Sequence, residues 1–473
     1  MTAKPLRPTI DPVPGLIRQI AVPAGTGMLF QTLFNVVDTW FAGLISTQAL
    51  AALAVSFPVF FLVIALMIGV GVGGSALIAN AIGGDDRRQA CRFFGQALLL
   101  ALLAGGLVAL YGQFAIEALF RFAGVQGEAL DLAKIYLLPI LICSSFFILN
   151  GVCNGLLSAQ GDTRSFRNAL IAGALLNIVF NQLFMFGLGP LPGFGILGIA
   201  IATILIQALQ FAYLWFRCRR SPVGALFSAR DILPDARTML ALLHQAVPVT
   251  AQMLATGIGL FAITFFMGRH GEAAIAAYGI ALRIEQVAML PMMGLNTAAL
   301  SLVGQNFGAG KLPRVATIAW TVLCYGTLCM IIAAFLVWPF RAELMALFTD
   351  DAEVIALGSA YLGVAVLIFN AYALLIISSA ILQGMKRPIF AMVIGLFRHV
   401  LGPLVVLWLL DPVLGFGLPG IYWGIFAVAW VGALTSVLYV RYRMQVINDQ
   451  SALVQLEGQR SPSSSAIVSN RSV

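Results

Sequence analysis

Residues 21–52 read AVPAGTGMLFQTLFNVVDTWFAGLISTQALAA, and residues 246–277 read AVPVTAQMLATGIGLFAITFFMGRHGEAAIAA. Laid over one another, they share Ala-Val-Pro at the start, Met28-Leu29 with Met253-Leu254, Thr39 with Thr264, Phe41 with Phe266 and Gly43 with Gly268. Ala49, Ala51 and Ala52 likewise meet Ala274, Ala276 and Ala277. The offset is constant, that of Ala21 to Ala246, and it runs without a gap to Gly83 and Gly308, with 15 identities in 63 positions. Biased composition yields some identities, but it does not place Pro and Gly alike in two stretches. A repeat of this kind sets the architecture before any single helix is assigned.

Composition says what the repeated unit is made of. The chain has 473 residues, 60% hydrophobic and only 10% charged, with a mean hydropathy of +0.97. A soluble domain carries about 25% charged residues to cover itself with, so most of this surface must face lipid. A spanning helix needs about 20 apolar residues. The apolar runs predict spans near 16–44, 49–82, 92–113, 130–158, 166–188 and 195–217, then 240–268, 274–307, 314–339, 354–382, 388–410 and 419–442. The fold expected is therefore all-α: twelve transmembrane helices in two six-helix lobes. Each unit has an even number of spans, so both enter from the same side, related by a pseudo-two-fold axis along the membrane normal. Two such lobes enclose a central cleft, and rocking them gives alternating access. The organisation read from the chain is an N-terminal segment 1–15, a first lobe 16–220, a linker 221–239, a second lobe 240–445 and a polar, Ser-rich tail 446–473 that lacks apolar periodicity and reads as disordered. The first apolar run is too long for a cleavable signal and is expected to remain as the first span.

Charge orients the chain. The net charge is +8, and 21 of the 27 Lys and Arg residues fall in alternate loops and the two termini, such as Arg87, Arg88, Arg92, Arg164, Arg167, Lys311, Arg314, Lys386 and Arg387. The other side holds only Arg121, Lys134, Arg269 and Arg341. The positive-inside rule places both termini in the cytoplasm, with bacterial inner membrane as the expected location. The same distribution argues against nucleic acid as a partner, since no basic patch sits on a soluble module. The six cysteines show no metal-ligand spacing and read as small apolar side chains. The three His, namely His244, His270 and His399, form no constellation with Ser, Cys or carboxylates, so no enzyme and no cofactor is expected.

Ionisable groups within spans are costly and mark function by default. Here they are Asp38, Arg283, Glu285, Arg398 and His399. Gln31, Asn35 and Asp38 stand at i, i+4 and i+7 on one helical face, and no Lys or Arg in the first-half spans can neutralise Asp38. Asn177 and Asn181, four apart on the fifth span, and Thr203 on the sixth can supply neutral oxygens around it. The set Asp38, Asn35, Asn177, Asn181 and Thr203 is either a proton or sodium site or a structural hydrogen-bond cluster. Glu285 either pairs with Arg398 or contacts substrate. Gln31, Arg283, Glu285, Met289, Asn296, Asn370, Arg398 and His399 are candidates for lining the cleft.

These stretches resemble the multidrug and toxic compound extrusion (MATE) transporters over about 16–445. The resemblance is carried by Asn35-Val36-Val37-Asp38-Thr39 with Gly43, by Ala49-Leu50-Ala51-Ala52, by 276–285 ending Leu282-Arg283-Ile284-Glu285, by Gly304-Gln305-Asn306-Phe307-Gly308-Ala309-Gly310, and by Gln-Gly turns with a following Arg at 160–164 and 383–387. It implies a V-shaped, two-lobed, cation-coupled antiporter that exports amphipathic, often cationic, organic compounds, with H⁺ or Na⁺ as the coupling ion, as a monomer in lipid. Asp38 matches the helix 1 acid that carries the ion in related prokaryotic members. The pattern is closer to the DinF-like branch, where Asn177 matches and Thr203 corresponds, while Asn181 stands where an Asp is expected. The NorM-like acids of helices 7 and 10 have no counterpart here. A flippase for lipid-linked sugars, from the same superfamily, is the alternative; it would want a more cationic cleft. A single carboxylate favours H⁺ slightly, and any Na⁺ would sit at Asp38.

Overall fold

The computed structural model describes residues 7–122, 127–188 and 191–460. Among them, eleven helices are long and apolar enough to cross a bilayer, and a twelfth span is a helix pair bent by 48°. In the first lobe these are α1 (Val13–Ile45), α2 (Thr47–Gly83), α3 (Arg87–Phe122), the bent pair α4 (Glu128–Ile142) and α5 (Ser144–Ala159), α6 (Arg164–Phe186) and α7 (Ile196–Arg219). The second lobe has α8 (Ala236–Gly268), α9 (Glu272–Gly308), α10 (Leu312–Val337), the short α11 (Arg341–Ala346), α12 (Ala352–Gly384), a span made of α13 (Pro388–Leu396) and α14 (Gly402–Trp408) joined by π turns, and α15 (Gly417–Arg460). The bend between α4 and α5 follows Pro139, whose ring removes one helical hydrogen bond and crowds the turn before it. The two-residue strands β1 (Gly187–Leu188) and β2 (Leu191–Pro192) pair antiparallel between α6 and α7.

Within a lobe, helices approach through glycine, because packing in lipid relies on close backbone contact rather than on a hydrophobic drive. A Cβ placed on Gly71 of α2 would lie 2.6 Å from Gly151 O of α5, and one on Gly155 would lie 2.5 Å from Gly71 O. The outer faces carry the large apolar groups that lipid covers, among them Leu107, Tyr111, Phe114 and Phe335.

The lobes touch along two seams, α1 against α9 and α2 against α8, joined by a contact of α2 with α9. The seams are shut only in the half nearest the basic loops. There a Cβ on Gly73 would lie 2.8 Å from Ala246 N, one on Gly294 2.2 Å from Ala21 O, and one on Gly83 1.9 Å from Gln305 O. Towards the opposite end Phe61 still reaches Gly257, but one turn beyond it Phe57 is 53% exposed and Phe261 63% exposed. The lobes thus form a V with its apex at the basic end and its mouth at the other.

Two readings of the sequence change. Likeness of motif would pair Gln160-Gly161 with Gln383-Gly384 in the repeat, two residues off the register of Ala21 with Ala246. In the structure the left-handed residues of those turns are Gly161 (φ 85°) and Lys386 (φ 60°), so the register that matches Ala21 with Ala246 holds through them unchanged. The turn after α2 follows the same rule, with Asp85 (φ 59°) answering Gly310 (φ 68°). At the other end, α15 continues to Arg460, into the segment expected to be a tail from 446; residues 461–473 lie outside the described residues, as do 1–6.

The linker takes no transmembrane role. Ser228 and Asp231 cap a 3-10 turn at Ala229–Ile232, and Arg88 reaches Asp231 at 3.1 Å. Gln96 of α3 donates to Asp231 O at 3.0 Å and Leu233 O at 2.7 Å. On the other lobe, Arg314 donates to Pro8 O at 3.1 Å and to Asp11 O, and Asn306 to Pro8 O at 3.2 Å. Each lobe therefore grips the backbone that leads into the first helix of the other.

Candidate functional site

Along α1 the buried residues of the outer half are Phe34, Asp38, Phe41 and Ala42. That spacing is one helical face, and it turns into the first lobe, where Phe41 packs with Tyr136, Ile196, Ile199 and Ala200. Asp38 is thereby aimed away from both lipid and cleft, and is only 8% exposed. Asn177 and Asn181, four apart on α6 and fully buried, each donate through Nδ2 to Asp38 Oδ1 at 2.8 Å. Thr203 of α7 donates to Oδ2 at 3.4 Å. No Lys or Arg pairs with Asp38 among the described residues.

The cluster is a carboxylate solvated by neutral donors. An amide or hydroxyl donating to a charged acceptor is worth about 1.5–3 kcal/mol, enough to hold an anion in place but small beside the cost of burying it. The amide oxygens of Asn177 and Asn181 are buried without a partner. They are the spare capacity of the site: turned towards Asp38, they would face it with oxygens rather than hydrogens.

Of the expected site residues, Asp38, Asn177, Asn181 and Thr203 come together. Asn35 does not: it is exposed on the cleft side of α1, and its backbone carbonyl accepts from Thr39. Gln31 is half-buried near the same side. Tyr136 joins the packing around the cluster; in the sequence a tyrosine in an apolar run carries no signal of such a role.

In the second lobe, Arg283 and Glu285 part company. Glu285 is buried with Oε1 unpartnered, and Arg283 is exposed. Among the described residues no ion pair joins Glu285 to Arg398. The Arg398 guanidinium instead lies 4.2 Å from the centroid of the Tyr372 ring, and its Nη1 is 3.3 Å from His399 Nε2. The backbone of His399 packs against Gly259 of α8. Met289 and Asn296 are half-buried along α9. Asn370 belongs elsewhere: it lines a lipid-side groove of about 380 Å³ with Trp338 of the α10–α11 turn, Leu367 of α12 and Trp430 of α15. Asn150 is also turned from the cleft, donating to Gln207 O and Oε1 at 3.0 and 2.8 Å inside the first lobe.

An ionic cluster lies at the mouth end of the second lobe. Asp411, nearly buried, is 2.8 Å from His270 Nε2 and 3.3 Å from Arg269 Nε. The sequence hides it, because 141 residues separate His270 from Asp411.

Comparison with known proteins gives one consistent answer. The family described as MatE matches residues 23–183 and 248–408, two stretches in the same register as the internal repeat. A protein named FAD transporter from Shewanella oneidensis is 30% identical over 82% of this chain and 86% of its own length. A multidrug export protein MepA from Staphylococcus saprophyticus is 24% identical over 89% of this chain and 92% of its own. Among solved structures, a MOP superfamily transporter from Pyrococcus furiosus superposes with a TM-score of 0.88 at 26% identity, over 95% of this chain and 99% of that one. An outward-facing multidrug resistance MATE family transporter superposes at 0.87 with 26% identity, over 94% and 99%.

Proposed function

The chain belongs to the MatE family of membrane transporters, and on that premise we propose that it exports small amphipathic organic compounds in exchange for an inward-moving cation, by rocking its two lobes about the cleft. The observation that carries this reading is Asp38: a buried carboxylate at membrane depth, held by three neutral donors, with no basic partner among the described residues. Such a group changes its charge with the ion it takes up, and a charge change inside one lobe biases which arrangement of the lobes is favoured. The proton is the better candidate ion, because the amides of Asn177 and Asn181 offer hydrogens to the carboxylate. Sodium would require both amides to turn their oxygens inward. The basic loops support a bacterial inner membrane with both termini in the cytoplasm, which makes the V an outward-open arrangement.

The relatives' names do not agree on a substrate, one being called an FAD transporter and others multidrug exporters. Coupling is tested without settling that. Efflux from proteoliposomes is measured under an imposed pH gradient alone and a sodium gradient alone, in the wild type and in Asp38→Asn. One gradient is expected to drive export, and Asp38→Asn to abolish that dependence. Full-rate, gradient-driven export by the variant would refute the assignment.

A further inference from the structure

Arg283 is an exposed cation within the span formed by α9. On α9, Leu290 and Gly294 are the residues that meet α1: Leu290 O lies 3.6 Å from a Cβ placed on Gly25, and a Cβ on Gly294 would lie 2.2 Å from Ala21 O. Arg283 precedes them by seven and eleven residues, two and three helical turns, so it continues their face of α9. Where that face leaves α1 and enters the open part of the V, its first charged residue is Arg283. It is exposed, and among the described residues it has neither an ion-pair nor a hydrogen-bond partner. A guanidinium within a span is expected to face water or a partner rather than hydrocarbon, and the cleft provides the water.

No acid opposes it. Carrying the contact face of α1 upward from Ala21 and Gly25 by the same seven and eleven residues gives Met28, Thr32 and Val36, and one turn further Thr39, all neutral. Asp38 is on the other side of α1, inside its lobe. Glu285, two residues from Arg283, points to the buried face that Tyr278 shares, seven residues earlier. Behind it Arg398, stacked on Tyr372, supplies a second cation to the same lobe. Both membrane-depth acids, Asp38 and Glu285, are buried, whereas Arg283 is exposed.

We propose that the substrate is an amphipathic organic anion whose acidic group is bound by Arg283. A guanidinium offers a planar fork matched to carboxylate and phosphate, and a compact cation gains nothing from it. This rests on the export reading above and narrows its substrate class, against the cationic compounds that the family resemblance suggests.

Equilibrium binding tests it apart from transport. Purified protein in nanodiscs is titrated with carboxyfluorescein, an aromatic anion, and with ethidium, an aromatic cation of similar size, following fluorescence anisotropy. The wild type is expected to bind the anion more tightly. Arg283→Gln should weaken anion binding about tenfold and leave ethidium unchanged, Arg283→Lys should keep the anion preference, and Arg283→Glu should reverse it. Arg283 is exposed, so these variants keep the fold; retained thermal melting checks this. Tighter binding of ethidium by the wild type, or an anion preference that persists in Arg283→Gln, would overturn the proposal. Gradient-driven efflux by the same samples is scored separately: anion binding without coupled efflux would sink the antiport reading while leaving the assignment of Arg283 standing.

Discussion

Asn80 of α2 and Gln305 of α9 occupy matching positions of the repeat, and each reaches across the lobe boundary to the equivalent backbone carbonyl of the other lobe. Asn80 Nδ2 donates to Gly384 O at 2.8 Å, and Gln305 Nε2 donates to Ala159 O at 2.6 Å. Ala159 and Gly384 are themselves matching positions in the same register. The pair is therefore a two-fold-related latch, placed where the V is shut, with both side chains buried. Its acceptors are carbonyls at the ends of α5 and α12, groups that a helix leaves free.

Removing the latch should loosen the shut end. A buried hydrogen bond contributes about 1 kcal/mol, so Asn80→Ala with Gln305→Ala should shift the balance between shut and open by about 2 kcal/mol, roughly thirtyfold. Distances between spin labels across the basic ends of the lobes, measured by pulsed electron resonance, should gain a longer population. A distribution identical to that of the wild type would show that the latch carries no energy.

The glycines beside the latch set a steric limit. A Cβ on Gly83 would stand 1.9 Å from Gln305 O, and one on Gly308 would stand 2.0 Å from Asn80 O. These are backbone atoms that cannot swing aside. Gly83→Ala or Gly308→Ala should hold the basic end ajar and stop export, while the protein still inserts and purifies. Thiol labelling of a cysteine placed on the cleft face near that end should rise; unchanged labelling with normal export would contradict the geometry.

The contacts of Asp38 predict a ranking. Asn177 and Asn181 bind it at 2.8 Å and Thr203 at 3.4 Å. If the cluster couples export to the ion, Asp38→Asn should abolish coupled efflux. Asn177→Ala and Asn181→Ala should each lower it about tenfold, for the loss of a charge-assisted bond, and Thr203→Val should lower it least. Initial efflux rates at a fixed gradient test the order, and a Thr203 variant as damaged as the Asn variants would break it.

Stability should depend on the linker grip. Asp231 is buried and receives Ser228 N at 2.9 Å as well as Arg88. Asp231→Ala would leave that amide unpaired against α3, at a cost of about 1–3 kcal/mol. The apparent melting temperature in detergent should fall, with Arg88→Ala falling less because Arg88 is half-exposed. Equal losses would mean that the ion pair, rather than the capped turn, holds the linker.

Whatever depends only on order along one chain is legible in the residues alone. The twelve spans follow from the lengths of apolar runs and from the cost of placing charge in lipid, neither of which needs a neighbour. The repeat, the side on which the basic loops gather and the isolation of Asp38 among apolar residues follow the same way. Which groups meet depends on how the helices pack. Asn35 and Asp38 are three residues apart on one helix, yet one is exposed at the cleft side and the other is buried against α6 and α7, because α1 sits between two different surroundings. Arg283 and Glu285 are separated in the same manner by a half-turn of α9. The latch was illegible for a further reason: Asn80 and Gln305 bind backbone carbonyls, which every residue carries, so only the folded approach of α5 and α12 could single those two out.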